Sequence, residues 1–370
     1  MNALLTSVAV GLVLLPAVVQ AEKRADGHVG VTRRVFHPTN LVRNWRGDPE
    51  KDLRCTVWYP AVDSALEVKQ EIGPPGGPLF EAGMAAPDAV LRPGKKLPLI
   101  LLSHGSGGSA VQMAWLGTAL AQAGFVAVAV DHPGNNANEK LTAEGFALWW
   151  ERATDLSQVL DGMLADPEFG GRIDPDKIGA AGFSLGGYTV LELAGAQTDI
   201  SVVYKQCRDQ PDTPECVSPE MRTLPEGLNT PADILHAVRK TSGESLARSG
   251  ELFSDDRIGA VFAIAPGLGS ALTEESLRAI REPVEIVVGD DDQLAPAKDN
   301  GGLVRSQIRG AKITLLPHVR HYTFLDTCTA AAKEKLGQMC EDAAGVDRDA
   351  VHERVAQMAV GFFAKELKVK

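Results

Sequence analysis

The chain is short of what several protein classes require. Lysine and arginine number 37 against 48 acidic residues, a net charge of −11, and no local cluster of basic residues reverses that excess. A chain of this sign has no general attraction for nucleic acid. Cysteines are only five (Cys55, Cys207, Cys216, Cys328 and Cys340), and their spacings come without nearby histidine pairs, so none reads as a zinc site. Long apolar runs are missing except at the amino terminus, where Leu4 to Val19 is shorter than the roughly 18 residues of a spanning helix and is interrupted by Pro16.

That terminal stretch has its own meaning. Residues 1–21 carry no charged side chain and end Val19-Gln20-Ala21 ahead of Glu22-Lys23-Arg24. The pattern is that of a secretory signal peptide, lacking only the positive n-region; an uncleaved anchor is the alternative. The expectation is a secreted or periplasmic protein of residues 22–370 with no stable membrane insertion after cleavage. An exported chain keeps disulfides, and the last four cysteines fall into two short-range pairs, Cys207 with Cys216 and Cys328 with Cys340. Cys55 lies in an apolar strand-like run, where a free buried thiol behaves as a small apolar residue.

What is present is a regular alternation. Strand-like runs fall around Val35 and at Leu53 to Tyr59, followed by a Pro-, Gly- and Ala-rich excursion from Pro74 to Gly94. After it, apolar strands at Leu97–Leu102, Phe125–Val130, Lys177–Phe183, Ile258–Ala265, Val284–Val288 and Lys312–Leu316 alternate with helical segments. These include Ala110–Ala123, Glu144–Leu164 and a closing helix near Val351–Lys365. Continuous apolar strands between helices are buried on both faces, which predicts a three-layer α/β sandwich with a mostly parallel sheet and a ligand site at the strands' carboxyl ends. Residues 197–256 break the rhythm. A connection that long reads as a partial cap over the site, stapled by Cys207 and Cys216 and helical around Ala232–Arg239.

One stretch carries chemistry: KIGAAGFSLGGYTV, residues 177–190. With 37 glycines in the chain, a G-x-S-x-G is expected by chance on the order of 0.2 times, so the motif decides nothing without context. The context is a buried strand meeting a helix with Ser184 at the corner, the geometry of a nucleophile elbow. A serine hydroxyl needs a base and a group to hold that base, and in this architecture the acid and the histidine come after the serine on later strands. After Val288 comes Gly289-Asp290-Asp291-Asp292, and Asp292 is the candidate acid with Asp290 in reserve. After Leu316 come His318 and His321; His321 lies farther into the loop and is the candidate base. Two backbone amides must meet the oxyanion: that of Leu185, after the serine, and that of Ser106 in Ser103-His104-Gly105-Ser106-Gly107-Gly108. His104 is expected to hold that loop, and Phe146, Trp149, Trp150 and Tyr188 are candidates for shaping a pocket.

Taken together, HGSGG, DHPGNN, GFSLGGYT, the G-x-x-D-x-L-x-P run ending at Pro296 and H-x-x-F at His321 resemble the α/β-hydrolase superfamily over roughly Leu53 to Phe324. Within it the chain resembles the bacterial predicted dienelactone hydrolases, relatives of the platelet-activating-factor acetylhydrolases. The resemblance implies Ser184 as nucleophile, His321 as base, Asp292 as acid, and Ser106 and Leu185 as oxyanion donors. It implies a small-molecule ester substrate and no cofactor or metal. Two departures stand out: dienelactone hydrolases proper carry cysteine at the elbow, and the acetylhydrolases place their acid after the preceding strand, which here ends Ala265-Pro266-Gly267-Leu268-Gly269 without a carboxylate. A lactone or polyester hydrolase, or a binding protein on the same fold without turnover, are the alternatives.

Overall fold

A computed structural model describes residues 27–38, 52–213 and 216–369. The proposed signal, residues 1–21, lies outside the described residues. Eleven strands form among the described residues: β1 (Val29–Phe36), β2 (Leu53–Pro60), β3 (Val68–Ile72), β4 (Phe80–Pro87), β5 (Leu97–Ser103), β6 (Val126–Val130), β7 (Ile173–Phe183), β8 (Ile258–Ile264), β9 (Val284–Gly289), β10 (Lys312–Leu316) and β11 (Thr327–Cys328). Their order in the sheet is β10-β9-β8-β7-β5-β6-β2-β1-β4-β11, with β3 paired to β4.

The six strands from β10 to β6 run parallel; β2 joins β6 antiparallel, and β1 joins β2 antiparallel. Leu99 to Leu102 and Val126 to Val130 have no exposed surface, because each parallel strand is covered on both faces. One apolar cluster packs the helices Glu151–Ala165 and Leu185–Leu193 on one face; the other packs Ala114–Gln122 and Arg348–Glu366 on the opposite face. The expected three layers are thereby formed.

Register sets the site. Ser103 stands opposite both Val130 and Gly182, Phe183 opposite Ile264, and Leu316 opposite Gly289. The carboxyl ends of the parallel strands therefore line up, and the loops that leave them converge on one edge.

Two segments differ from expectation. The excursion from Pro74 to Gly94 contains β4, whose Phe80, Ala82, Ala85 and Ala86 are buried against β1, β3 and β11. Alanine and glycine rather than β-branched residues fill it, so it lacks the compositional mark of a strand. The expected helix Glu144–Leu164 is two helices, Ala143–Ala147 and Glu151–Ala165. The break is held by its tryptophans: Trp149 Nε1–H donates to the Phe146 carbonyl at 2.6 Å, and Trp150 Nε1–H to Ser245 Oγ at 3.2 Å.

Both expected disulfides, Cys207–Cys216 and Cys328–Cys340, are formed, and Cys55 is free and buried. Residues 197–256 contain the helices Ile200–Asp209, Pro231–Thr241 and Gly243–Ala247 and a single turn of 3-10 helix, Pro219–Thr223. No helix among the described residues is long and apolar enough to cross a membrane.

Candidate active site

Ser184 ends β7 and begins the helix Leu185–Leu193 in a backbone conformation, φ 56° and ψ −118°, that non-glycine residues rarely adopt. Such a conformation costs on the order of 1–3 kcal/mol and persists only where its surroundings enforce it. Here Ser184 N–H donates to the Ile264 carbonyl (2.9 Å), and the Ser184 carbonyl accepts from Gly267 (3.1 Å) and Tyr188 (3.2 Å). The flanking glycines are steric necessities. A Cβ at Gly182 would land on the Gly186 carbonyl, one at Gly186 on the Ser103 carbonyl, and one at Gly187 would approach Pro266 Cα to 2.8 Å. The turn therefore locks β7 against both neighbouring strands and leaves the Ser184 hydroxyl facing the loops.

The three aspartates after β9 divide their work. Asp290 accepts from the backbone N–H of His318 at 2.5 Å, fixing a residue at positive φ (60°). Asp291 pairs with Arg320 at 3.1 Å. Asp292, 4% exposed, accepts His321 Nδ1–H at 2.6 Å with one oxygen and the amides of Leu294 (2.9 Å) and Ala295 (2.8 Å) with the other. Burial alone would push the Asp292 carboxyl up; the facing imidazole and these hydrogen bonds together outweigh it and hold the group below the ordinary carboxylate value.

His321 completes the chain of contacts. Its Nδ1–H is committed to a carboxylate, so Nε2 is the acceptor, and it lies 2.8 Å from Ser184 Oγ. Phe183 packs on the imidazole with ring centroids 4.9 Å apart. His318, the competing histidine, is exposed and its side chain is not part of this arrangement.

The loop after β5 passes directly over the serine; a Cβ at Gly105 would stand 3.4 Å from that of Ser184. A buried polar network supports it. His104 Nδ1–H donates to the Gly105 carbonyl (2.6 Å), and its Nε2 accepts from His132 N–H (3.2 Å). Arg152, fully buried, donates to the His104 carbonyl and to Asn135 Oδ1 (3.3 Å), which also accepts the Gly107 amide at 2.8 Å. Burial, then the positive charge of Arg152, drives the His104 pKa well below the usual histidine value, so His104 serves as a neutral strut. Ser103, His132 and Asp155 repeat the same contact pattern at 2.9 and 2.8 Å, yet they are buried beneath the loop, where no substrate reaches.

Two cavities open on Ser184. The larger, about 410 Å³, runs from the Gly105–Gly108 loop past His321 to Tyr322, Leu325 and Met339. The smaller, about 110 Å³, is lined mainly by Phe146, Trp149, Leu185, Leu268 and Leu294. Ser106, Ser184, His321, Pro219 and Glu220 border both. All five sequence-selected residues, Ser184, Asp292, His321, Ser106 and Leu185, thus come together. Of the suggested pocket aromatics, Phe146 and Trp149 line the smaller cavity. Trp150 and Tyr188 do not: both are buried, the former on Ser245, the latter on Glu192 at 2.6 Å. Sequence reading did not find Glu220, since a glutamate in a polar insertion has no local mark distinguishing it from a solvated one.

The alpha/beta hydrolase family model matches residues 99–334. Platelet-activating factor acetylhydrolase of Canis lupus familiaris is 28% identical over 44% of this chain and 49% of its own length. Cutinase est1 of Thermobifida alba is 34% identical over 27% of this chain and 31% of its own length. The chain thus spans about half the length of the acetylhydrolase it matches. A ferulic acid esterase from Streptomyces cinnamoneus superposes with a TM-score of 0.61 at 18% identity, covering 95% of this chain and 93% of that one, and shares its fold.

Proposed function

Because the chain belongs to the alpha/beta hydrolase family, we propose that it is a secreted serine hydrolase of carboxylic esters working through an acyl-enzyme. The observation that carries the proposal is the unbroken chain Asp292–His321–Ser184 at 2.6 and 2.8 Å beside an open cavity. His321 Nε2 takes the Ser184 proton as Oγ attacks the ester carbonyl, and Asp292 stabilises the imidazolium that forms. The Leu185 and Ser106 amides receive the oxyanion. The imidazolium then protonates the leaving alcohol, and the same nitrogen activates the water that releases the acid.

The cavities divide the substrate. The leaving oxygen must meet His321 Nε2, and the larger cavity continues beyond that residue, so it takes the alcohol portion. The smaller takes the acyl portion. At about 110 Å³ it is much the narrower of the two, which suits a short acyl group. We assign residues 197–256 as the cap, because its Ser218, Pro219, Glu220 and Thr223 border these cavities. The two disulfides are compatible with export. The test is hydrolysis of p-nitrophenyl esters of increasing acyl length, with Ser184→Ala alongside. Acetate to butyrate should be cleaved and longer chains fall off; folded wild-type protein with no turnover on any of them would favour the binding-protein alternative.

A further inference from the structure

Glu220 occupies a position that the proposed reaction does not use. It sits in the turn Pro219–Thr223 of the insertion, borders both cavities, and accepts a hydrogen bond from Tyr322 Oη at 3.0 Å. Its Cγ also packs near the loop after β5, 3.5 Å from where a Cβ on Gly107 would stand. It is therefore held between the proposed oxyanion loop and the residue next to His321. Cys216, buried and bridged to Cys207, anchors the strap just before it.

The other charges at these cavities are placed differently. Glu139 borders only the larger cavity and spends Oε1 on the Gly134 amide and on Asn136 Nδ2 (2.9 Å); Lys140 is exposed at the same cavity. In the smaller cavity, Glu220 and His321 are the only titratable side chains among the described lining residues. One fixed carboxylate thus stands where the two halves of any ester must diverge.

Resting on the ester-hydrolase reading above, we propose that Glu220 is a specificity-determining residue that selects esters by charge, rejecting anionic esters and favouring those with a cationic alcohol portion. A carboxylate in a partly desolvated cleft repels a second anion and attracts a cation. A charge pair about 10 Å apart at an effective dielectric of about 20 corresponds to roughly tenfold in kcat/KM.

The experiment compares three acetate esters of one shape: phenyl acetate, 3-acetoxybenzoate and 3-acetoxyphenyl-trimethylammonium. Each kcat/KM is divided by the ester's own rate of hydroxide hydrolysis to remove intrinsic reactivity. The wild-type protein should rank cationic over neutral over anionic, with about tenfold per step, and added salt should compress that spread without any mutation. Glu220→Gln should bring the three within about twofold to threefold of one another, and Glu220→Lys should reverse the order. Tyr322→Phe keeps the carboxylate and should keep the order, which a purely structural role for the Glu220–Tyr322 contact does not require. Equal normalised rates in wild type, or an unchanged spread in Glu220→Gln, would overturn the charge role while leaving the esterase reading intact. No hydrolysis of any ester would overturn both.

Discussion

Asp292→Asn removes one charge while preserving shape, and the partners of Asp292 determine the effect on catalysis. One side-chain oxygen accepts the Leu294 and Ala295 amides, and the other accepts His321 Nδ1–H. An asparagine has one acceptor and one donor to offer. Two backbone amides fix its oxygen on their side, since reversing the group would leave buried donors facing donors, at about 1–3 kcal/mol each. The Asn NH₂ then faces His321 Nδ1 and forces the imidazole proton onto Nε2, where it points at Ser184 and abolishes the base. The same change in a serine protease triad lowers kcat about 10⁴-fold, and the expectation here is of that order. In barrier terms it is roughly 5.5 kcal/mol. The assay is kcat on p-nitrophenyl acetate, with thermal unfolding to verify the fold. Asp290→Asn is the control, because Asp290 holds only the His318 turn. An Asp292→Asn enzyme with more than a tenth of wild-type kcat, or an Asp290→Asn enzyme impaired as badly, would refute the assignment.

The packing and the buried charges carry further expectations. Gly186→Ala places a methyl group on the Ser103 carbonyl and should abolish activity and lower the melting temperature by many degrees, whereas Gly171→Ala, which meets nothing within 4 Å, should leave both nearly unchanged. His352 donates to the Thr323 carbonyl at 2.9 Å, behind the turn that carries His321, and burial lowers its pKa to about 4. Between about pH 6.5 and 4 the unfolded chain binds the proton that the folded one refuses, so this contribution is complete above pH 6.5 and is lost on acidification, by roughly 3 kcal/mol at the limit. In a Glu192→Gln background, which removes an opposing titration over the same interval, urea unfolding at pH 7.5 and 4.5 should show that loss, and adding His352→Gln should remove most of it. Glu192, buried and raised to about 8, acts in the opposite direction: the fold holds its proton, and stability falls as pH climbs from about 4.5 to 8, a slope that Glu192→Gln should remove. Cys207→Ser with Cys216→Ser frees the strap that carries Glu220; it should cost about 2–3 kcal/mol in unfolding free energy and raise KM more than it lowers kcat.

The parallel strands were legible in the sequence because burial on both faces leaves continuous apolar runs. β5, β6 and β8 therefore stand within a residue or two of expectation. β4 was not legible, since apart from Phe80 its buried positions hold alanines that signal neither strand nor core. The candidate triad positions could be ranked because chain order and strand ends constrain them. Yet Asp292 differs from Asp290 and Asp291 only through partners that folding supplies: the His321 imidazole and two local amides against the His318 amide and the Arg320 guanidinium. The second chain of Ser103, His132 and Asp155 makes the same point: its residue types are competent, and its burial, with Asp155 on a helix rather than after a strand, separates it from the accessible one. Glu220 is brought to the site by a long insertion, and no local periodicity encodes where such a strap lands.

The central claim is that Ser184 becomes covalently acylated. Intact-mass and peptide-mass analysis of protein quenched within milliseconds of mixing with p-nitrophenyl butyrate, at a pH low enough to halt deacylation, tests it directly. The expected result is a butyryl adduct on the peptide containing Ser184, formed together with a burst of p-nitrophenol and absent from Ser184→Ala. Steady turnover without an adduct on that peptide, or turnover that survives in Ser184→Ala, would contradict it.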